Sequence, residues 1–200
     1  MILIVAVFIG LTAGLCRAWI GKRTYRAYEL KYPGLVLLAF IPQFFAFFLP
    51  KTRQLISDNL VSILLVSSLI ILLIFSLLNI QKFSFWPISI GFFLNFLVIV
   101  LNGGLMPISV ETIQKLIPGP ESNWIIGQRF GYTKDIILTP SLTRLWFLSD
   151  RFTLPDWINY RVAFSLGDIF IAAGVVWLLW ILGGKKTQDL KEKKNEQYIF

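Results

Sequence analysis

Two aspartates, Asp150 and Asp168, are the groups in this chain best suited by type and spacing to do chemistry. They lie 18 residues apart with Pro155 between them, so both can reach one end of the apolar helix that Phe164-Ser165-Leu166-Gly167-Asp168 opens. Two carboxylates held together share one proton, because like charges in contact cannot both ionise, and such a pair can activate water for peptide hydrolysis. The plainer expectation is structural. Asp168 would cap its helix and pair with Arg144, Arg151 or Arg161, while Asp150 caps a short helix or faces water. Either way Asp168 needs a partner. Only apolar and small residues follow it until Lys185, which puts it about one turn inside a membrane span, where a carboxylate costs roughly 2.5–3.5 kcal/mol.

A second polar set lies upstream. Asn95 and Asn102 are seven residues apart, two helical turns, and so share a face. Asn102-Gly103-Gly104-Leu105-Met106-Pro107 marks a helix end or break at membrane depth, where freed backbone groups must be satisfied by protein or water. Such a run can offer amides to a ligand or to the Asp150 region; more commonly it ends a helix and turns the chain. The binding candidates are therefore Asn95, Asn102, Gly103, Gly104, Arg144 and Arg151, with Asp150 and Asp168 catalytic if the chain is a hydrolase. The sequence has no histidine and one cysteine, Cys16. That excludes Ser-His-Asp and Cys-His catalysis, imidazole metal sites and an intrachain disulfide. Without a P-loop or a Gly-rich dinucleotide fingerprint, no cofactor or metal is expected.

Hydrophobic patterning gives the elements that must position these groups. Hydrophobic residues are 56% of the 200 and charged residues 15%, against about 45–50% and about 25% in soluble chains, so the bilayer is the expected solvent. The expected fold is all-α: one transmembrane domain over 1–184, with five spans near 2–18, 34–50, 60–78, 88–106 and 164–182, and a charged, disordered cytoplasmic tail at 185–200. The first apolar run lacks a positive n-region and reads as a retained span. Pro42 should kink the second. Residues 107–163 form a long polar connection rich in Trp, Tyr and Phe, expected to lie on the bilayer surface, partly as short amphipathic helices. Five, one and five basic residues flank the spans on one side, against Lys51 and Arg53 on the other. The positive-inside rule then makes the N-terminus and the connection extracytoplasmic and the C-terminus cytoplasmic. The net charge of +8 is spread beside apolar segments, which points to anionic lipid headgroups as partners and away from nucleic acid. A membrane-protein partner or a second copy of the chain completes the expected partners.

Leu101 to Ser109, Leu138-Thr139-Pro140 with Thr143 to Asp150, and Phe164 to Asp168 resemble the successive signatures of a bacterial multi-pass membrane family known as a domain of unknown function. That resemblance spans nearly the whole chain and implies a membrane fold in the cytoplasmic (inner) membrane, without an activity. Ser149-Asp150-Arg151 and Phe164-Ser165-Leu166-Gly167-Asp168 are also similar to two signatures of lipoprotein signal peptidase, an aspartyl enzyme of the bacterial inner membrane. This local similarity implies Asp150 and Asp168 as a catalytic dyad. The chain departs from that enzyme in expecting five spans instead of four and none between the Asn-Gly-Gly run and Asp150. The expected role is a non-catalytic accessory or assembly protein with a polar site near the outer face; the alternatives are an aspartyl membrane hydrolase and a small transporter or channel subunit.

Overall fold

The computed structural model describes residues 2–26, 29–118, 124–155 and 157–186. Its frame is a row of apolar helices. α1 (Ile2–Ile20) leads to a short strand β1 (Arg23–Thr24), α2 (Gly34–Gln43) continues as a π-helical turn (Phe44–Phe48), and α3 (Pro50–Leu55) precedes α4 (Asp58–Leu78) and α5 (Phe85–Leu101). β2 (Met106–Ile108), α6 (Val110–Leu116), β3 (Asp135–Ile137), a 3₁₀ turn (Trp146–Leu148), β4 (Phe152–Thr153) and β5 (Ala163–Phe164) make up the connection. α7 (Leu166–Leu182) and β6 (Lys185–Lys186) close the described chain.

Local chemistry sets these boundaries. Ser57 accepts from the Leu60 amide at the head of α4, with Asp58 favourable in the first turn. Pro42 withholds one rung from α2, and the chain after it winds as the π-turn, its Phe44 and Phe48 rings stacked at 6.0 Å. α5 starts three residues ahead of the expected span and stops at Leu101 instead of Met106, because Asn102 caps it and Gly103 and Gly104 turn away at φ 85° and 89°.

α1 packs on α7, α7 on α5, α5 on α4, and α4 on α2. Small residues set the closest seams. The buried residues of α1 are Ala6, Gly10, Gly14 and Ala18, four apart on one face; a Cβ on Gly10 would lie 2.9 Å from the Val176 Cα. The rest of the α1 surface stays apolar and uncovered, as do large side chains on the other helices, with Leu37 71% and Ile63 62% exposed. Among the described residues, α1 and α4 are long and apolar enough to cross a membrane, while Gly34–Phe48, α5 and α7 are shorter apolar helices of 17 residues or fewer.

The two ends of the row differ. At one, β1 pairs antiparallel with β6, Asn79 brackets the Lys31 backbone with bonds of 2.9 and 3.1 Å, and the Lys82 ammonium donates to the Glu29 carbonyl. Lys185 and Lys186, expected in a disordered tail, are thus part of a strand pair; residues 187–200 of that tail lie outside the described residues. At the other end the connection folds on itself, as one short helix, α6, and short strands. β2 pairs in parallel with β3, and Asp150 bridges the other edge of β2 through its amide to the Pro107 carbonyl at 3.0 Å. Ile108, Ile113 and Ile137 form its small core, against which Trp124 and Phe130 pack. Trp124 and Phe130, expected at a lipid interface, meet edge to face at 5.3 Å. Trp146, Phe147, Trp157 and Tyr160 stay exposed.

Candidate functional site

The site grows from the turn after α5. Asn102 holds three backbone groups: its Nδ2 donates to the Val98 carbonyl at 2.7 Å and the Arg144 carbonyl at 2.9 Å, and its Oδ1 accepts from the Arg144 amide at 2.9 Å. Arg144 therefore enters through its main chain, and the next residue, Leu145, takes φ 54°. The Gly104 amide bonds back to the Ile99 carbonyl at 2.8 Å, and a Cβ there would stand 2.7 Å from that of Ser62. Gly103 and Gly104 thus aim β2 at β3 and bring α4 against the turn.

Asp168 is held at the head of α7. Ser165 and Asp168 form a reciprocal capping box: the Asp168 amide donates to Ser165 Oγ at 3.0 Å, and the Ser165 amide donates to Asp168 Oδ2 at 3.4 Å. The side-chain partner of Asp168 is Asn95, not an arginine. Its Nδ2 donates to Asp168 Oδ1 at 2.9 Å, and its Oδ1 accepts from Ser165 Oγ at 2.8 Å. The reach is possible because α5 and α7 touch at Gly91 and Gly167: a Cβ on Gly91 would meet the Ile171 amide at 2.8 Å, and one on Gly167 would run into Asn95.

Asp150 is 2% exposed, and its partner is Lys134. The Lys134 ammonium lies 2.5 Å from Asp150 Oδ2 and 3.3 Å from Asp135 Oδ1, while Asp150 Oδ1 is buried without a hydrogen bond. Burial pushes the Asp150 carboxyl up to about 7; Lys134 opposes this, and the carboxylates of Asp135 and Asp168 add to it. Burial alone would depress the Lys134 ammonium, but Asp135, Asp150 and Asp168 outweigh it and hold Lys134 above its ordinary value. The three acids and one lysine feel one another across the junction of connection and bundle. No hydrogen bond joins Asp150 to Asp168 among the described residues.

Arg151 makes no ion pair with this cluster; its guanidinium carbon lies 4.1 Å from the centroid of the Trp146 ring. Lys134, Asp135 and Ser165 are the site residues that sequence reasoning passed over. Ser165 had a legible signal, since Ser-x-x-Asp before an apolar run is the capping-box pattern. Lys134 had none: it lies in a stretch without periodicity, 16 residues before the acid it meets.

These features define a helical protein with long apolar helices and a small folded cap that closes over one end. The chain belongs to DUF5317, a family of unknown function, whose model matches residues 27–180. That match takes in every residue of the site and leaves out α1. No curated protein and no solved structure matches the chain.

Proposed function

We propose that this is a five-span membrane protein of the cytoplasmic membrane that acts without catalysis, as an accessory or assembly protein presenting the cap at the outer face. The membrane reading is supported by the uncovered apolar surface on the two long and three shorter apolar helices, which in water would forfeit about 25 cal/mol for each Å² left exposed. The non-catalytic reading rests on one observation: the two carboxylates are separately committed, Asp150 to Lys134 and Asp168 to Asn95 and Ser165. A proton-sharing dyad needs them on each other. An aspartyl hydrolase stays as a second reading because Asp168 adds to the elevation of Asp150 near neutral pH. The test has two parts. The full chain is expected to stay with membranes through an alkaline carbonate wash, and release into the supernatant overturns the membrane reading. A strain carrying Asp150→Asn with Asp168→Asn at normal protein level is expected to behave as wild type where a deletion strain does not; a deletion phenotype at that level overturns the accessory role.

A further inference from the structure

Between α6, the Pro140–Thr143 turn and the 3₁₀ turn lies a half-open cleft of about 160 Å³. That exceeds the ~10–15 Å³ needed for one water and falls below the ~300 Å³ of an ordinary small-molecule pocket, so it suits a small headgroup. No acid lines it; its polar lining is Ser109, Thr112, Thr143, Ser149 and Arg151. The Arg151 guanidinium carbon lies 4.1 Å from the centroid of the Trp146 ring and 5.5 Å from that of Phe152, and no described residue hydrogen-bonds the group. The ring contacts hold the group in place and leave its N–H donors to a planar or tetrahedral oxyanion.

Two of the four lining hydroxyls are of the other kind. Thr143 Oγ1 donates to the Thr139 carbonyl at 2.8 Å, and Ser149 Oγ to the Trp146 carbonyl at 2.6 Å. Having spent their protons, both oxygens offer lone pairs to whatever enters. The cleft therefore asks for an anion beside a hydrogen-bond donor. Its surroundings supply the source: Trp146 of the lining, and Leu142 and Phe147 beside lining residues in the chain, are exposed apolar side chains, suited to acyl chains and the interfacial layer.

We propose that this cleft binds a phospholipid headgroup of the ethanolamine type, its phosphate on Arg151 and its ammonium on Thr143 and Ser149. The inference rests on the membrane reading above. A choline headgroup has the same net charge but no N–H, so it keeps the phosphate contact and loses the other half.

The test is native mass spectrometry of the full chain in mild detergent, titrated with short-chain phosphatidylethanolamine or phosphatidylcholine. Binding at least tenfold tighter for the ethanolamine lipid is expected, and equal affinities overturn the proposal. Arg151→Gln should weaken the ethanolamine lipid about tenfold, and Lys51→Gln, exposed elsewhere on the same end, should not. Thr143→Val should bring the preference toward one while leaving choline-lipid binding as it was; an unchanged preference overturns the assignment of the donor half. Soluble phosphorylethanolamine is expected not to displace the lipid at concentrations where the lipid saturates, and full displacement would overturn the lipid as the source. Failure of the membrane reading shows independently, as a chain that washes off membranes.

Discussion

Asp150 is the residue on which charge, burial and position conflict most. Its folded pKa is raised from 3.8 to about 7, so the native state holds this proton more tightly than the unfolded chain does. Its contribution therefore weakens folding as pH climbs from about 4 to about 7 and changes little beyond. Lys134 is also raised, from 10.5, so the stability it lends is complete below that value and fades only above it. Detergent-solubilised protein should accordingly melt at a higher temperature at pH 5 than at pH 7.5, and Asp150→Asn should flatten that slope. A slope that survives the substitution would assign it to another group. Lys134→Met leaves Asp150 buried without its ammonium. Breaking a buried pair from one side costs about 3–5 kcal/mol, and because the Lys134 side chain is 37% exposed the low end is expected. The lost ammonium also raises Asp150 further, so this variant should recover stability on acidification more steeply than wild type. Asn95→Leu should be harsher than its surface area suggests, because it strips Asp168 and Ser165 of a partner together, at ~1–3 kcal/mol for each buried polar group left unpaired. Thermal melts of Asn95→Leu beside Ser62→Ala would check this.

At the scale of elements, the helices were legible and the cap was not. α4 follows from an unbroken apolar run behind a Ser-Asp cap, and its observed limits differ from the expected span by two residues at the head. Asn102-Gly103-Gly104 is readable as a helix end, although the apolar pattern runs on to Met106. The cap resisted because its strands are two or three residues long, too short for a period of two to register. Its order comes from contacts between distant segments, such as Pro107 with Asp150 and Met106 with Lys134. Lys134 was invisible for the same reason: it reaches Asp150, 16 residues further on, only through the β2–β3 register. The seam between α1 and α7 gives the prediction at this scale. Gly14 lies against the Leu179 carbonyl and Gly183, so Gly14→Leu should lift α1 from α7, at a cost of about 1–3 kcal/mol for overpacking. Gly34→Ala, with open space around its Cβ, should be silent. Melting temperature in one detergent separates the two, and equal melts would mean that α1 is not held by this face.

For the molecule as a whole, the arrangement of ends makes a prediction about sides. α1 and α7 both finish where β1 meets β6, and α2 departs from and α4 returns to that same end, where Asn79 binds the Lys31 backbone. α3, the head of α4 and the cap share the opposite end, tied by the ion pair of Arg129 with Asp58 at 3.3 Å. With Asp58 open to solvent, that pair is worth little by itself although the Arg129 side chain is covered; it records which groups are neighbours. Arg17, Lys22, Arg23, Arg26, Lys31 and Lys82 are at the first end, and a cationic cluster of that kind is retained on the cytoplasmic side. A membrane-impermeant maleimide applied to intact cells should therefore label Lys51→Cys and Trp157→Cys in a Cys16→Ser background. It should leave Lys82→Cys unlabelled until the cells are opened. Native Cys16, exposed on α1 near the basic end, should behave like position 82. Labelling of 51 and 82 from the same side would mean that the intervening α4 does not cross, and with it would go the outer-face cleft, because Arg151 and Thr143 would then face the cytoplasm or lie in a protein that does not span at all.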